Sequence, residues 1–165
     1  MKNLRMILSL TLILCIVVGC QKRKEVAEES EMNIGADIAA IKNLTNQRVR
    51  AFNDGNLDAF MALVADDAVF MPPGVPALIG KEAIYNWQNF DEMSFDATIF
   101  LDEIEICGEW AFQRVHWEGS WTINASGETT PYKSKEIFIY RRQPDGSWLT
   151  THAIWNGTHI ETEDK

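Results

Sequence analysis

Residues 55–84 read GNLDAFMALVADDAVFMPPGVPALIGKEAI, and the local rule changes several times within them. Gly55 is a natural helix terminator, and Asn56 offers a side-chain oxygen to cap the next helix. Leu57, Phe60, Met61 and Val64 share one side of a short helix, Leu57 to Val64. Ala65-Asp66-Asp67 ends it, and Ala68 to Met71 reads as a short strand. Pro72-Pro73-Gly74-Val75-Pro76 cannot be regular structure, because proline removes backbone donors and fixes φ. Gly80 leads into a third helix, Lys81 to Phe90, with Ile84 and Trp87 facing inward.

Upstream, Ile38, Ile41, Thr45, Val49 and Phe52 recur every three or four residues, the stripe of an amphipathic helix beginning near Ala36. From Phe95 onward the period drops to two. Thr98 to Ile106, Trp110 to Ile123, Tyr132 to Gln143 and Ser147 to Asn156 read as strands. Asn124-Ala125-Ser126-Gly127 and Pro144-Asp145-Gly146 are turns between them. Helices first and then a long antiparallel meander define an α+β domain, a curved antiparallel sheet wrapped around three N-terminal helices.

The stretch Gly55 to Ile84 resembles the opening of SnoaL-like domains, and YRRQPDGSWLTTHAIWNG, Tyr140 to Gly157, resembles their last two strands. These domains belong to the nuclear transport factor 2 superfamily, with ketosteroid isomerases, scytalone dehydratase and limonene epoxide hydrolase. The resemblance covers about residues 36–160 and implies a cone-shaped pocket. It leaves the activity open, because this fold serves enzymes, ligand binders and assembly modules alike. Ketosteroid isomerases need a carboxylate base near the end of the first strand, with a tyrosine and a protonated acid as oxyanion donors. Matching this chain to them puts Pro72, Arg48 and Phe138 at those three positions, and none can do the required job.

Alternation divides Trp110–Ile123 into two faces. The resemblance implies that Phe112, Arg114, His116, Glu118 and Ser120 face the cone and that Ala111, Gln113, Val115, Trp117 and Trp121 face outward. It places Ser134, Glu136, Phe138 and Tyr140 inside from the next strand. Thr151, Ala153 and Trp155 follow from the last strand, with His152 outside. Charges in a half-buried cavity need partners, and Arg114 opposite Glu136, near His116 and Glu118, would supply them. On one reading His116, Glu118 and Glu136 are catalytic, with His116 as acid or base. Arg114, Phe112, Phe138, Tyr140 and Trp155 would then hold the ligand. On the other reading the charges form an ion-paired network at the cone's mouth that catalyses nothing.

The N-terminus supplies an address. Lys2 and Arg5 precede the apolar run Met6 to Val18, followed by Gly19-Cys20. This is the layout of a signal peptide over 1–19, shorter than the ~20 apolar residues a spanning helix needs. Cys20 resembles the lipidated cysteine of bacterial lipoproteins, whose acyl chains anchor a domain by burying about 0.8 kcal/mol per CH₂. Residues 20–35 read as the lipidated cysteine and a charged, disordered tether, and 161–165 as a tail. The expected location is the cell envelope, lipid-anchored, periplasmic or on the outer membrane.

The chain carries 24 acids against 15 bases, a formal net charge of −9, and no basic run longer than Lys22-Arg23-Lys24, which argues against nucleic acid. Lone Cys107 reads as a small buried hydrophobe. His116, His152 and His159 show no metal-ligand spacing, with the first two expected on opposite faces, so no metal is expected. No phosphate loop or esterase elbow is present, and no cofactor is expected. Val115, Trp117, Trp121, Ile137 and Ile139 would form an apolar outer patch, from which a homodimer is expected. The expected function is binding of a small, largely apolar molecule. The alternatives are a cofactor-free isomerase, dehydratase or hydrolase-like enzyme, or a structural envelope module.

Overall fold

The structure, a computed structural model, describes residues 34–88 and 90–157. The signal peptide, Cys20, the tether up to residue 33, His159 and the tail lie outside the described residues. The chain divides into two units, Met1–Asp37 and Ile38–Lys165. Of the first, residues 34–37 are described and helical, including 34 and 35, which the sequence assigned to the tether. Among the described residues, no helix is long and apolar enough to cross a membrane.

The second unit begins with helix α1 (38–53) and α2 (Leu57–Met61). Strands β1 (Val64–Met71) and β2 (Leu78–Ile79) and helix α3 (Lys81–Trp87) follow. Four long strands complete it: β3 (Met93–Cys107), β4 (Trp110–Ile123), β5 (Thr129–Arg142) and β6 (Trp148–Gly157). Along α1, Ile41, Leu44, Thr45, Arg48 and Ala51 are the buried positions, the three- and four-residue spacing of one helical face. The Asn56 side chain accepts from the Ala59 N–H at 2.9 Å, the N-cap of α2. That helix stops at Met61 rather than Val64 because Val64 is taken into the sheet, paired with Thr150. Gly80 adopts φ 85°, which a side chain would disfavour, and its N–H reaches the Ala68 carbonyl at 2.7 Å to aim α3.

The strands form one curved, unclosed sheet in the order β2-β1-β6-β5-β4-β3. All pairings are antiparallel except β1 with β6, which is parallel, so the sheet is not antiparallel throughout. Strand β3 starts at Met93, before the expected Thr98, and forms one free edge. That edge is partly covered by α1. The Asn53 amide donates to the Ala97 carbonyl at 3.0 Å and accepts from the Ala97 N–H at 2.9 Å, as a neighbouring strand would. Cys107 is exposed rather than buried. It ends β3 at the turn, where alternation turns Ile106 toward the interior and Cys107 away.

Candidate functional site

Helices and sheet enclose a cavity of about 350 Å³. Its walls are chiefly aromatic: Phe52 from α1, Phe60 from α2, Phe70 from β1, and Trp87 beside α3's end. Phe95 on β3, Trp117 and Trp121 on β4, Phe138 on β5 and Trp155 on β6 complete them. The rings meet edge to face, Phe52 against Trp117 at 5.4 Å and Trp87 against Trp155 at 5.8 Å. Gly119 lies between the two tryptophans of β4 and also lines the space.

From Arg48, which also lines the cavity, a buried polar chain runs away behind the aromatic walls. Arg48 is 2% exposed, and its guanidinium lies 3.9 Å from the centroid of the Phe138 ring. It donates to the Tyr140 hydroxyl at 3.1 Å and to Thr150 Oγ1 at 2.7 Å. Tyr140 donates onward to Gln113 Oε1, and Gln113 Nε2 donates to Thr45 Oγ1 at 2.7 Å. Each member gains a partner, which is what makes burial of a cation and four polar groups tolerable. Arg48 and Phe138, two of the positions matched to the isomerase donors, are thus brought together as a cation on a ring.

Glu136 is the carboxylic acid at the cavity wall, which Arg48 and Tyr132 also line. Burial pushes its carboxyl up to about 7. A hydrogen bond from Ser134 Oγ, at 2.7 Å, and the nearby Arg48 charge pull the other way. The Trp117 indole N–H is close enough to favour the ionised carboxylate, yet it completes no hydrogen bond. Burial also raises the Tyr132 phenol, which shares the wall.

The residues expected at the site divide into two sets. Glu136, Phe138 and Trp155 line the cavity, and Tyr140 lies behind it, fully buried in the Arg48 chain. Phe112, Arg114, His116 and Glu118 do not line it. From Ala111 to Glu118 the β4 face is the reverse of the one expected, with Ala111, Gln113, Val115 and Trp117 buried, whereas Ser120 lines the cavity as expected. The physical reason is cost, since the other face carries three ionisable groups that would each need desolvation. Gln113 is the polar residue among these four, and it is hydrogen-bonded on both sides.

The expected Arg114–Glu136 pair is therefore not made. Arg114 pairs instead with Asp102 at 3.1 Å and Glu103 at 3.2 Å. His116 Nδ1 lies 3.0 Å from Asp102, and its ring stacks on Phe100 at 4.8 Å. Glu118 meets Lys133 at 2.7 Å, which holds its carboxyl below the usual range. His116 and His152 fall on one face, because Ile139 pairs with both Phe112 and His152. Val115 and Trp117 point inward, so the five residues expected to form an outer apolar patch do not share a face. Ile79, Phe100, Trp110, Ile137 and Ile154 are among the large apolar side chains exposed there.

This arrangement, helices packed on an unclosed curved sheet around an apolar cavity, is that of a SnoaL-like domain. The model of that family matches residues 46–150, and the chain belongs to it. A ketosteroid isomerase-like protein from Erwinia carotovora atroseptica SCRI1043 is similar at 32% identity, TM-score 0.67, over 74% of this chain and 96% of that one. A nuclear transport factor 2 superfamily protein from Salmonella enterica serovar Typhimurium LT2 shares the fold at 18% identity and TM-score 0.63, over 76% and 94% of the two chains. So does a hexachlorocyclohexane dehydrochlorinase from Novosphingobium barchaimii LL02, at 14% identity and TM-score 0.65, over 82% and 97%. Among curated proteins, none matches this chain.

Proposed function

We propose that this chain is a lipid-anchored envelope protein whose domain binds a small, largely apolar molecule in the cavity. The observation that carries the ligand reading is the aromatic cavity of about 350 Å³, in the size range of small-molecule sites. Its test is titration with an apolar fluorescent probe, N-phenyl-1-naphthylamine. Trp155→Ala and Phe138→Ala are expected to weaken binding by about tenfold or more, as loss of a buried aromatic anchor does. His116→Ala, on the outer face, is expected to leave affinity unchanged. Equal losses in all three variants, or no binding by the parent, would sink the reading.

The anchor rests on the sequence around Cys20. Cys20→Ser is expected to move the protein from the membrane to the soluble fraction of its host. Retention of the variant in the membrane fraction would refute lipid anchoring there.

A cofactor-free isomerase, dehydratase or hydrolase-like reaction is the second reading. A carboxyl titrating at about 7 at the cavity wall favours it, because such a group both takes and returns a proton near neutral pH. The names of the similar isomerase-like protein and dehydrochlorinase point the same way. His116 and Glu118 face away from the ligand space, so on this reading Glu136 acts without them. Turnover that depends on His116 would contradict it.

A further inference from the structure

We propose that the Glu136 carboxylate and the Trp117 indole N–H together recognise a hydroxyl group on an aromatic ligand, so that the ligand class is phenols. This rests on the reading that the cavity takes a small apolar molecule, and adds the chemistry of its polar end. Trp117 is 6% exposed, and its Nε1 is the buried side-chain polar atom among the described residues that has no hydrogen-bond partner. An indole nitrogen only donates, and the acceptor beside it, the Glu136 carboxylate, is close enough to feel the N–H without completing a hydrogen bond. Glu136 lies on the adjacent strand, where Ser134 pairs with Trp117 and Glu136 with Val115. Its carboxylate accepts one hydrogen bond, from Ser134, and retains lone pairs for others.

A hydroxyl group meets both demands at once, donating to the carboxylate and accepting from the indole. Several other functional groups meet one demand or neither, and a carboxamide, which meets both, needs two atoms to do what a hydroxyl does with one. A ketone or ether accepts from Trp117 and offers Glu136 nothing. An amine satisfies Glu136 and leaves the indole orphaned. A carboxylate would set one negative charge beside another. Arg48 also borders the cavity, where its charge acts on Glu136 and two of its donors are engaged by Tyr140 and Thr150. The body of the ligand is read from the walls, which Phe52, Phe95 and Trp155 make aromatic, a surface suited to packing against a flat ring.

The ionised carboxylate is the acceptor, so recognition is tied to pH. The charged and titratable groups acting on Glu136 are Arg48 from α1 and Tyr132 on its own strand. From β4 and β6 its register partners are Val115 and Trp155, which do not titrate. With the carboxyl at about 7, the preference for a hydroxyl is present above neutral pH and fades below it.

The test is titration of the full-length protein with 2-naphthol, 2-methoxynaphthalene and naphthalene, followed by tryptophan fluorescence at about pH 8 and about pH 5.5. At the higher pH 2-naphthol is expected to bind at least about tenfold more tightly than either analogue, with the ratio shrinking at the lower pH. Trp117→Phe and Glu136→Leu are each expected to reduce 2-naphthol affinity toward that of naphthalene while naphthalene binding persists. Equal affinities for all three compounds in the parent would overturn hydroxyl recognition and leave the apolar cavity standing. Absence of binding by all three would remove both. A 2-naphthol preference that survives both substitutions would overturn the assignment to these two residues.

Discussion

Gly119→Ala is expected to destabilise the domain by about 3 kcal/mol or more, the upper end of what forcing atoms into a packed site costs. A Cβ at this position would lie 2.0 Å from the Asp96 carbonyl oxygen and 2.8 Å from the Ala97 Cα. Both are backbone atoms of β3, the strand paired with β4 at this point. No side chain can rotate out of the way, so the two strands must separate locally. Ala97 cannot retreat freely either, since Asn53 of α1 holds both its backbone polar groups. Urea unfolding would show the effect as a lowered midpoint. A midpoint equal to that of the parent would mean that β3 and β4 are not packed this closely.

Glu136→Gln is expected to stabilise the protein at alkaline pH, an unusual direction for a buried substitution. The carboxyl titrates at about 7 in the folded chain against 4.5 as its ordinary value. Between those two values the folded chain keeps a proton that the unfolded chain has lost. Stability from this group therefore falls as pH rises through the window, and above it the penalty reaches about 3 kcal/mol. Glutamine carries no such penalty. The variant and parent should converge near pH 4.5 and diverge up to about pH 8, read by urea midpoints across that range. Parallel curves would show that Glu136 titrates normally.

The breaks in the sequence were the most legible part of this fold. Gly55 with Asn56, the proline run after Met71, Gly80 and the turns at 124–127 and 144–146 each impose a backbone rule that packing does not override. Element ends were less legible, because tertiary pairing decides them. Val64 leaves its helix for Thr150, and Met93 joins β3 ahead of any clear alternation. Of the eight residues expected at the site, three, Glu136, Phe138 and Trp155, line the cavity.

The inverted face of β4 has an instructive cause. Alternation separates two faces but does not say which is inward. The turn at 124–127 contained the answer, since it sets Ile123 opposite Glu128 and hence Val115 opposite Glu136. Residues opposite each other share a face, so an inward Glu136 requires an inward Val115 and Trp117. Arg48 was harder to find. A cation on the buried stripe of a helix is a departure from pattern that only its partners, Tyr140, Thr150 and Phe138, make intelligible.

The parallel seam between β1 and β6 has a consequence for how the protein comes into being. Phe70 pairs with Ala153, so a strand made early in synthesis waits for the last strand of the sheet to be translated. Until then β1 has only the two residues of β2 beside it, and Phe70 has Phe60 but lacks Trp155. A chain that stops short of Trp148 therefore lacks not a peripheral ornament but the central board of the sheet.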